Sequence, residues 1–262
     1  MTGGHREVPL YDQFGDRYDL MVDWAGRIAR ESPFFEAIFA RMGAHRILDV
    51  GCATGHHAAH FARLGLEAVG ADPSSELLRI ARERFDSVPG LSFVAAGFGE
   101  LVESVGGQFD VVTCLGNTLP HVPDEATLRS ALVDVAAVLR PGGRLVVQQL
   151  NYDRILAARQ RYLGVGSRDD ASRELVFFRF YDFPASGGEG TLVFNVATFE
   201  RSSSSEWRYR VDATRLLPIT VGQVTSALSA AGLESEDLLG GFDGQPFDPA
   251  ASNDLVVVAR RC

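Results

Sequence analysis

The chain has 262 residues, 25 of them basic and 34 acidic, for a formal net charge of −9, and 46% are hydrophobic. That apolar content excludes intrinsic disorder, and no uncharged run approaches the length of a membrane-spanning helix. The acidic balance argues against a nucleic-acid partner, because neutralising phosphates takes clustered Lys and Arg and the basic residues here are scattered.

Residues 15–42 carry helical periodicity, with Leu20, Trp24, Ile28, Phe35, Ile38 and Phe39 recurring and a break expected near Pro33. Residues 46–51 read as a buried strand, 56–64 as a helix and 67–71 as a second strand. The alternation continues with a helix over 75–85, strands over 91–95 and 109–114, and an amphipathic helix over 124–139. A Pro141-Gly142-Gly143 turn then leads into a strand over 144–149. Apolar strands alternating with helices imply right-handed crossovers and a parallel sheet. The pattern then changes. Residues 174–183, 191–200 and 206–216 are long strand-like runs separated by SGGEG and SSSS, the spacing of antiparallel hairpins. A helix over 221–231 and strands over 235–240 and 255–259 complete the chain. The expected organisation is an N-terminal helical segment, residues 1–42, acting as a lid, and an α/β domain over 43–262 with an antiparallel insertion at about 170–217.

The most informative stretch is Asp49-Val50-Gly51-Cys52-Ala53-Thr54-Gly55, where the first strand hands over to a helix. Parallel sheets bind ligands there, and glycines let the backbone come close to them. The spacing is neither G-x-G-x-x-G nor a P-loop, and no lysine follows. Asp72 closes the second strand, where a carboxylate can accept hydrogen bonds from both hydroxyls of a ribose. These features describe a nucleoside cofactor without a pyrophosphate. In the plainer reading the glycines shape a tight turn and Asp72-Pro73-Ser74 opens a helix, and one turn can serve both uses.

Together with the strand Phe109-Asp-Val-Val-Thr-Cys114 and the turn Leu139-Arg-Pro-Gly-Gly-Arg-Leu145, these elements resemble the class I S-adenosylmethionine-dependent methyltransferases over about residues 40–150. The resemblance implies a Rossmann-like doubly wound seven-stranded sheet with an antiparallel β insertion and an N-terminal helical lid, and S-adenosylmethionine as cofactor. A narrower similarity, to glycine/sarcosine N-methyltransferases and related small-molecule enzymes, rests on three stretches. They are Tyr18-Asp-Leu-Met-Val-Asp-Trp24-Ala-Gly-Arg27, Cys114-Leu-Gly-Asn117-Thr-Leu-Pro-His121 and Asn151-Tyr152-Asp153-Arg-Ile-Leu156. Carried over by position, Tyr11, Tyr18 and Arg27 line the cofactor, with Arg27 pairing its carboxylate bidentately. Gly51, Cys52, Ala53, Asp72, Pro73, Gly97, Phe98, Leu115 and Gly116 complete that site. Without the resemblance, Arg27 reads as a solvated helix face and Phe98 as core. Two departures stand out. The acidic residue usual at position 97 is Gly97, and the arginine that grips an amino-acid carboxylate is replaced by Leu150. Glycine and sarcosine are therefore not expected as substrates unless another arginine, such as Arg179, supplies the pairing.

Methyl transfer is an in-line displacement that needs alignment and water exclusion more than covalent help. The resemblance places Asn117 at the substrate. His121 is the leading proton acceptor, because it follows the fourth strand on the ligand side and histidine titrates near neutral pH. Its plainer reading is a loop histidine bonded to the backbone. Tyr152 is the second candidate, and Tyr181 and Tyr209 are weaker ones. His56, His57 and His60 have part of a zinc spacing, but no Glu follows in the zincin arrangement and no third ligand is evident, so no metal is expected. The run Phe177-Phe178-Arg179-Phe180-Tyr181 either lines an apolar pocket or enters a subunit contact.

The expected function is methylation of a small molecule, on nitrogen ahead of oxygen. The alternatives are a non-catalytic S-adenosylmethionine sensor and a macromolecular methyltransferase. The latter is disfavoured because Asn117-Thr118-Leu119-Pro120 lacks the aromatic stack used on extruded bases. Expected partners are a small-molecule acceptor, without nucleic acid or membrane, and a homo-oligomer is left open. Cys52, Cys114 and Cys262 share no redox spacing, and the N-terminus lacks a signal-peptide core, so a cytoplasmic location is expected.

Overall fold

The alternating elements build a seven-stranded sheet, and the long strands of the second half build a separate four-stranded one. The computed structural model describes residues 15, 17–170, 173–184, 190–202 and 206–262, without the side chains of residues 17, 169 and 170. The helices are α1 (Arg17–Met21), α2 (Trp24–Met42), α3 (His56–Arg63), α4 (Ser75–Phe85), α5 (Leu101–Ser104), α6 (Glu125–Val138), α7 (Tyr152–Ala157) and α8 (Val221–Ala230). The large sheet takes β1 (Arg46–Val50), β2 (Glu67–Asp72), β3 (Leu91–Ala95), β4 (Phe109–Cys114) and β5 (Leu139–Leu150). The antiparallel insertion follows as β6 (Tyr162–Asp170), β7 (Arg173–Asp182), β8 (Leu192–Ser202) and β9 (Arg208–Leu216). The chain then returns to the large sheet with β10 (Leu233–Leu239) and β11 (Asp254–Arg261).

The large sheet runs β10-β11-β5-β4-β1-β2-β3, with β11 alone antiparallel to its neighbours. Helices cover both faces of the parallel strands, so β1 buries Ile47, Leu48 and Val50 on both sides. Strand order reverses between β1 and β4, and the crevice beyond their carboxyl ends is where such sheets take ligands. This is the doubly wound seven-stranded sheet expected from the sequence. Among the described residues, no helix is long and apolar enough to cross a membrane.

The N-terminal helical stretch breaks at Val22-Asp23 instead of at Pro33. Asp23 caps α2 by accepting the Gly26 N–H, and this sets the start of the helix. Pro33 sits inside α2 on its exposed side, where the carbonyl left without an N–H partner faces water. The opposite side of α2 puts Phe35, Ile38 and Phe39 against Phe61 of α3, with Phe35–Phe61 and Phe39–Phe61 ring centroids both 5.1 Å apart. The helical segment is thus part of the core over the large sheet as well as a neighbour of the site.

The insertion has one more strand than the sequence suggests, because β6 and the preceding α7 were not foreseen. Glycines 164 and 166 interrupt β6, and Tyr162 and Val165 are exposed on this edge strand, so no apolar period marks it. The inner face of the insertion packs Leu175, Phe177 and Val196 against Tyr18, Leu20 and Met21 of the N-terminal segment. The Pro141-Gly142-Gly143 turn lies within β5. There the pairing with β4 shifts register between Phe109 and Val111, and Gly142 takes a φ of +74°.

Phe35 has no exposed surface and contacts five rings, those of Phe34 and Phe39 on its own helix, His57 and Phe61 of α3, and Phe242 in the loop before β11. Phe35→Ala is therefore expected to cost about 3–5 kcal/mol of stability, read as a lower midpoint in chemical denaturation.

Candidate active site

The loop after β1 needs three residues in the left-handed region: Gly51 (φ +70°), Ala53 (+49°) and Gly55 (+81°). Gly51 cannot be replaced cheaply, since a Cβ there would lie 2.3 Å from Thr118 Cγ2 in the turn after β4. The Gly51 and Cys52 N–H groups both donate to the Ala71 carbonyl, at 2.7 and 3.1 Å, so the loop folds back on β2. Asp72, buried at the end of β2, accepts the Ala53 N–H on Oδ2 and the Ser74 N–H on Oδ1, each at 2.9 Å. A carboxylate has about four acceptor sites, so each of its oxygens can take more than one donor. Cys52 itself points inward, and burial pushes its thiol well up.

After β3, Gly97 lies beside Pro73, while Phe98 packs partly buried on the main core. Gly97 removes the expected carboxylate, yet one returns from three residues downstream: Glu100 Oε2 accepts the Gly97 N–H at 2.9 Å. After β4, Leu115 is buried in the aromatic cluster under α2, so it offers backbone alone to a ligand. The Gly116 N–H donates to Gln148 Oε1 at 2.7 Å, and the same oxygen accepts from Arg27 at 3.4 Å. Arg27 also pairs with Glu31 at 2.8 Å, and Glu31 pairs with His57 at 2.7 Å. Burial by itself would raise Glu31, but the hydrogen bond with His57 and the Arg27 charge hold it below the usual carboxylate range.

A second carboxylate ties the N-terminal segment to the loop. Asp19 of α1 accepts from Thr54 Oγ1 at 2.5 Å and Trp24 Nε1 at 2.8 Å, and it pairs with Arg84. Burial opposes its charge, but hydrogen bonds from His56, Thr54 and Arg84 outweigh that and bring it to about 2. Asp19, Glu31 and Gln148 are not among the site residues expected from the sequence, and His57 enters that reading only through the zinc spacing. Only the i,i+4 spacing of Arg27 and Glu31 gave any local sign, because the other contacts join distant elements. The three histidines are likewise committed. His56 stacks on Trp24 with centroids 4.3 Å apart, His57 holds Glu31 and His60 bonds Ser32 at 2.7 Å. Among the described residues there is no group of three metal-ligating side chains.

Beyond Gly116 the crevice opens into a cavity of about 690 Å³ between the N-terminal helices, the ends of β4 and β5, and the inner face of the insertion. Tyr18, Arg27, Gly116, Asn117 and His121 line it, and Tyr18 has its phenol pushed up to about 12 by burial. Asn117 takes a φ of +67°, accepts the Leu150 N–H at 3.1 Å and donates to Tyr152 Oη at 2.9 Å. Tyr152 is fully buried beneath it. Tyr181 also reaches the cavity, and burial holds it up to about 12 despite the neighbouring Tyr152 phenol. His121 differs from expectation: burial pushes it down to about 4, so its imidazole is neutral at physiological pH. Tyr209 is exposed and does not line the cavity, and Tyr11 lies outside the described residues. The aromatic run of β7 splits by strand alternation. Phe177 and Tyr181 face inward, while Phe178 and Phe180 stack on each other across the other face.

The sequence matches a family described as a methyltransferase domain over residues 47–143. It is 36% identical over 156 residues to a glycine/sarcosine N-methyltransferase of Parasynechococcus marenigrum, covering 58% of this chain and 54% of the relative. It is 30% identical over 191 residues to the glycine/sarcosine N-methyltransferase of Aphanothece halophytica, covering 69% and 71%. The chain thus spans about half the length of the first of these relatives and more of the second. A methyltransferase from Clostridium acetobutylicum superposes with a TM-score of 0.75 at 16% identity, covering 95% of this chain and 98% of that one. The CcbJ methyltransferase of Streptomyces caelestis gives 0.73 at 24%, covering 97% and 98%. Those two likenesses concern the fold. Fold and sequence together define the class I S-adenosylmethionine-dependent methyltransferases, and the chain belongs to that family. Within it, these two sequence relatives carry the name glycine/sarcosine N-methyltransferase, while Leu150 stands where the resemblance implies an arginine.

The depressed pKa of His121 fixes a pH dependence. Its folded value lies below the unfolded one of about 6.5, so its contribution to stability is complete above that pH and fades as pH falls toward 4. In a proton NMR titration its ring resonances should stay those of the neutral form at about pH 5, where an unperturbed histidine is already mostly charged.

Proposed function

We propose that the protein transfers a methyl group from S-adenosylmethionine to the nitrogen of a small-molecule amine. The residues around the crevice fit that cofactor. Gly51 and Gly116 keep side chains out of its path, since a Cβ on Gly51 would meet Thr118 and one on Gly116 would crowd the Arg27 guanidinium at 3.5 Å. Asp72 would accept from the ribose hydroxyls, Arg27 would donate to the carboxylate, and Phe98 and Glu100 would flank the base. When bound, the cofactor supplies an electrophilic methyl group on a sulfonium sulfur.

The residues of the chain then have to position an acceptor and keep water out. Asn117 is held from two sides, by the Leu150 N–H and by Tyr152, so its amide is a fixed hydrogen-bonding edge on the cavity wall. Fixing an acceptor in this way is a main source of rate in a displacement that needs little chemical help. The N-terminal segment and the inner face of the insertion roof the cavity and limit water.

The observation that favours nitrogen over oxygen is the state of His121. At about 4 it is too weak a base to take the proton of a hydroxyl, and the Tyr18 and Tyr181 phenols stay protonated. A neutral amine attacks with its own lone pair and needs no base before the bond forms. An uncharged imidazole also avoids repulsion with a cationic donor and a cationic product. The names of the sequence relatives support the same reading.

Incubation with S-adenosylmethionine and matched panels of primary amines and phenols, read by mass spectrometry, tests the proposal. Methylated amines are expected, and Asn117→Ala should lower kcat by about tenfold or more while cofactor affinity in calorimetry holds. Methylated phenols alone would overturn the choice of nitrogen. Cofactor binding with no turnover in either panel would favour a sensor.

A further inference from the structure

We infer that Arg179 anchors an anionic oxygen group, a carboxylate or a phosphate, at the far end of an acceptor amine much larger than glycine. This assignment rests on the amine-methylation reading and adds the class of molecule that the cavity takes.

Arg179 lies on β7 between Phe177 and Tyr181, which share its face of the strand and are both buried. Directly across on β8 is Val196, with Phe194 across from Tyr181. A guanidinium in this row interrupts an otherwise aromatic and aliphatic surface, and it lines the cavity. It makes no hydrogen bond and no ion pair with any described residue. Arg30, on the α2 wall of the same cavity, makes none either. The other charges there are committed. Arg27 is paired with Glu31, Glu31 with His57, Asp254 accepts from Gln148 at 2.8 Å, and Asp243 accepts a backbone N–H of its own loop at 3.2 Å. The cavity therefore offers two unused cations to a ligand. A guanidinium has the donor fork that matches a carboxylate or phosphate.

Position along the strand sets the size of the ligand. Asn117 bonds Tyr152, Tyr152 neighbours Tyr181, and Arg179 is one pleat repeat beyond Tyr181, about 7 Å further along the strand. Between the two ends the walls are apolar, with Leu150, Leu163 and Phe194. An amine whose nitrogen meets Asn117 and whose anion meets Arg179 needs an apolar body between them. Glycine, whose amine and carboxylate share one carbon, is too short to reach from Asn117 to a guanidinium one pleat repeat beyond Tyr181.

The test uses the full chain loaded with S-adenosylhomocysteine and three probes that share an aminomethylphenyl body. They bear a carboxylate, a phosphonate or a neutral carboxamide in the para position. At least one anionic probe is expected to bind about tenfold to a hundredfold more tightly than the carboxamide in calorimetry. Comparing the carboxylate with the phosphonate identifies the group. Arg179→Gln should abolish that preference while S-adenosylhomocysteine binds as before, and Arg179→Lys should keep part of it. Equal binding of all three probes, no binding of either anionic probe, or a preference that survives in Arg179→Gln would overturn the assignment. Failure of S-adenosylhomocysteine itself to bind would overturn the methyltransferase reading and this one with it.

Discussion

A single buried carboxylate, Glu31, joins the parts of the molecule that the site requires. A charge in the interior is costly unless it is paired, and removing one partner leaves the other stranded. Glu31 meets that condition with Arg27 from its own helix and His57 from the helix after the glycine loop. Satisfying the carboxylate therefore presses α2 onto α3 and aims the Arg27 guanidinium toward Gly116. Asp19 repeats the arrangement one helix earlier, drawing Thr54, His56 and Arg84 to α1. The N-terminal segment is held over the cofactor loop by polar contacts on its near side and by the Phe35 cluster behind it.

The parallel strands were legible because each is a short apolar run between turn signals, as in residues 46–51 and 109–114, the form taken by a strand buried on both faces. The glycine loop and Asp72 were legible for a related reason: their chemistry is carried by residue type at a fixed offset along the chain. What escaped depended on partners distant in sequence. Gln148 is one polar residue in a strand until the fold brings Gly116, Arg27 and Asp254 to it. Glu100 reads as an ordinary helix-entry acid until the chain turns it back on Gly97. β6 escaped because an edge strand with two glycines has no face to reveal. The titration expected of His121 failed on burial, a property of its surroundings that the residue type does not encode.

The cavity combines two electrostatic regimes that belong to different layers. On the side of the large sheet Arg27 and Glu31 are matched and the histidine is neutral, which suits a reaction whose donor carries its own positive charge. On the insertion side Arg179 is unmatched within an apolar row. Chemistry is thus assigned to the sheet common to the family, and discrimination to a layer built from hairpins, where substitutions can alter one wall without disturbing the crossovers that hold the loop.

The contact between Gly51 and Thr118 has a mechanical consequence. Thr118 occupies the space a side chain on Gly51 would need, and its hydroxyl is held by the Leu115 carbonyl at 2.7 Å. The turn after β1 and the turn after β4 are therefore meshed like two teeth, and neither can shift without displacing the other. A side chain added at Gly51 would therefore be felt on the other side of the crevice, in the turn whose neighbouring residue is Asn117.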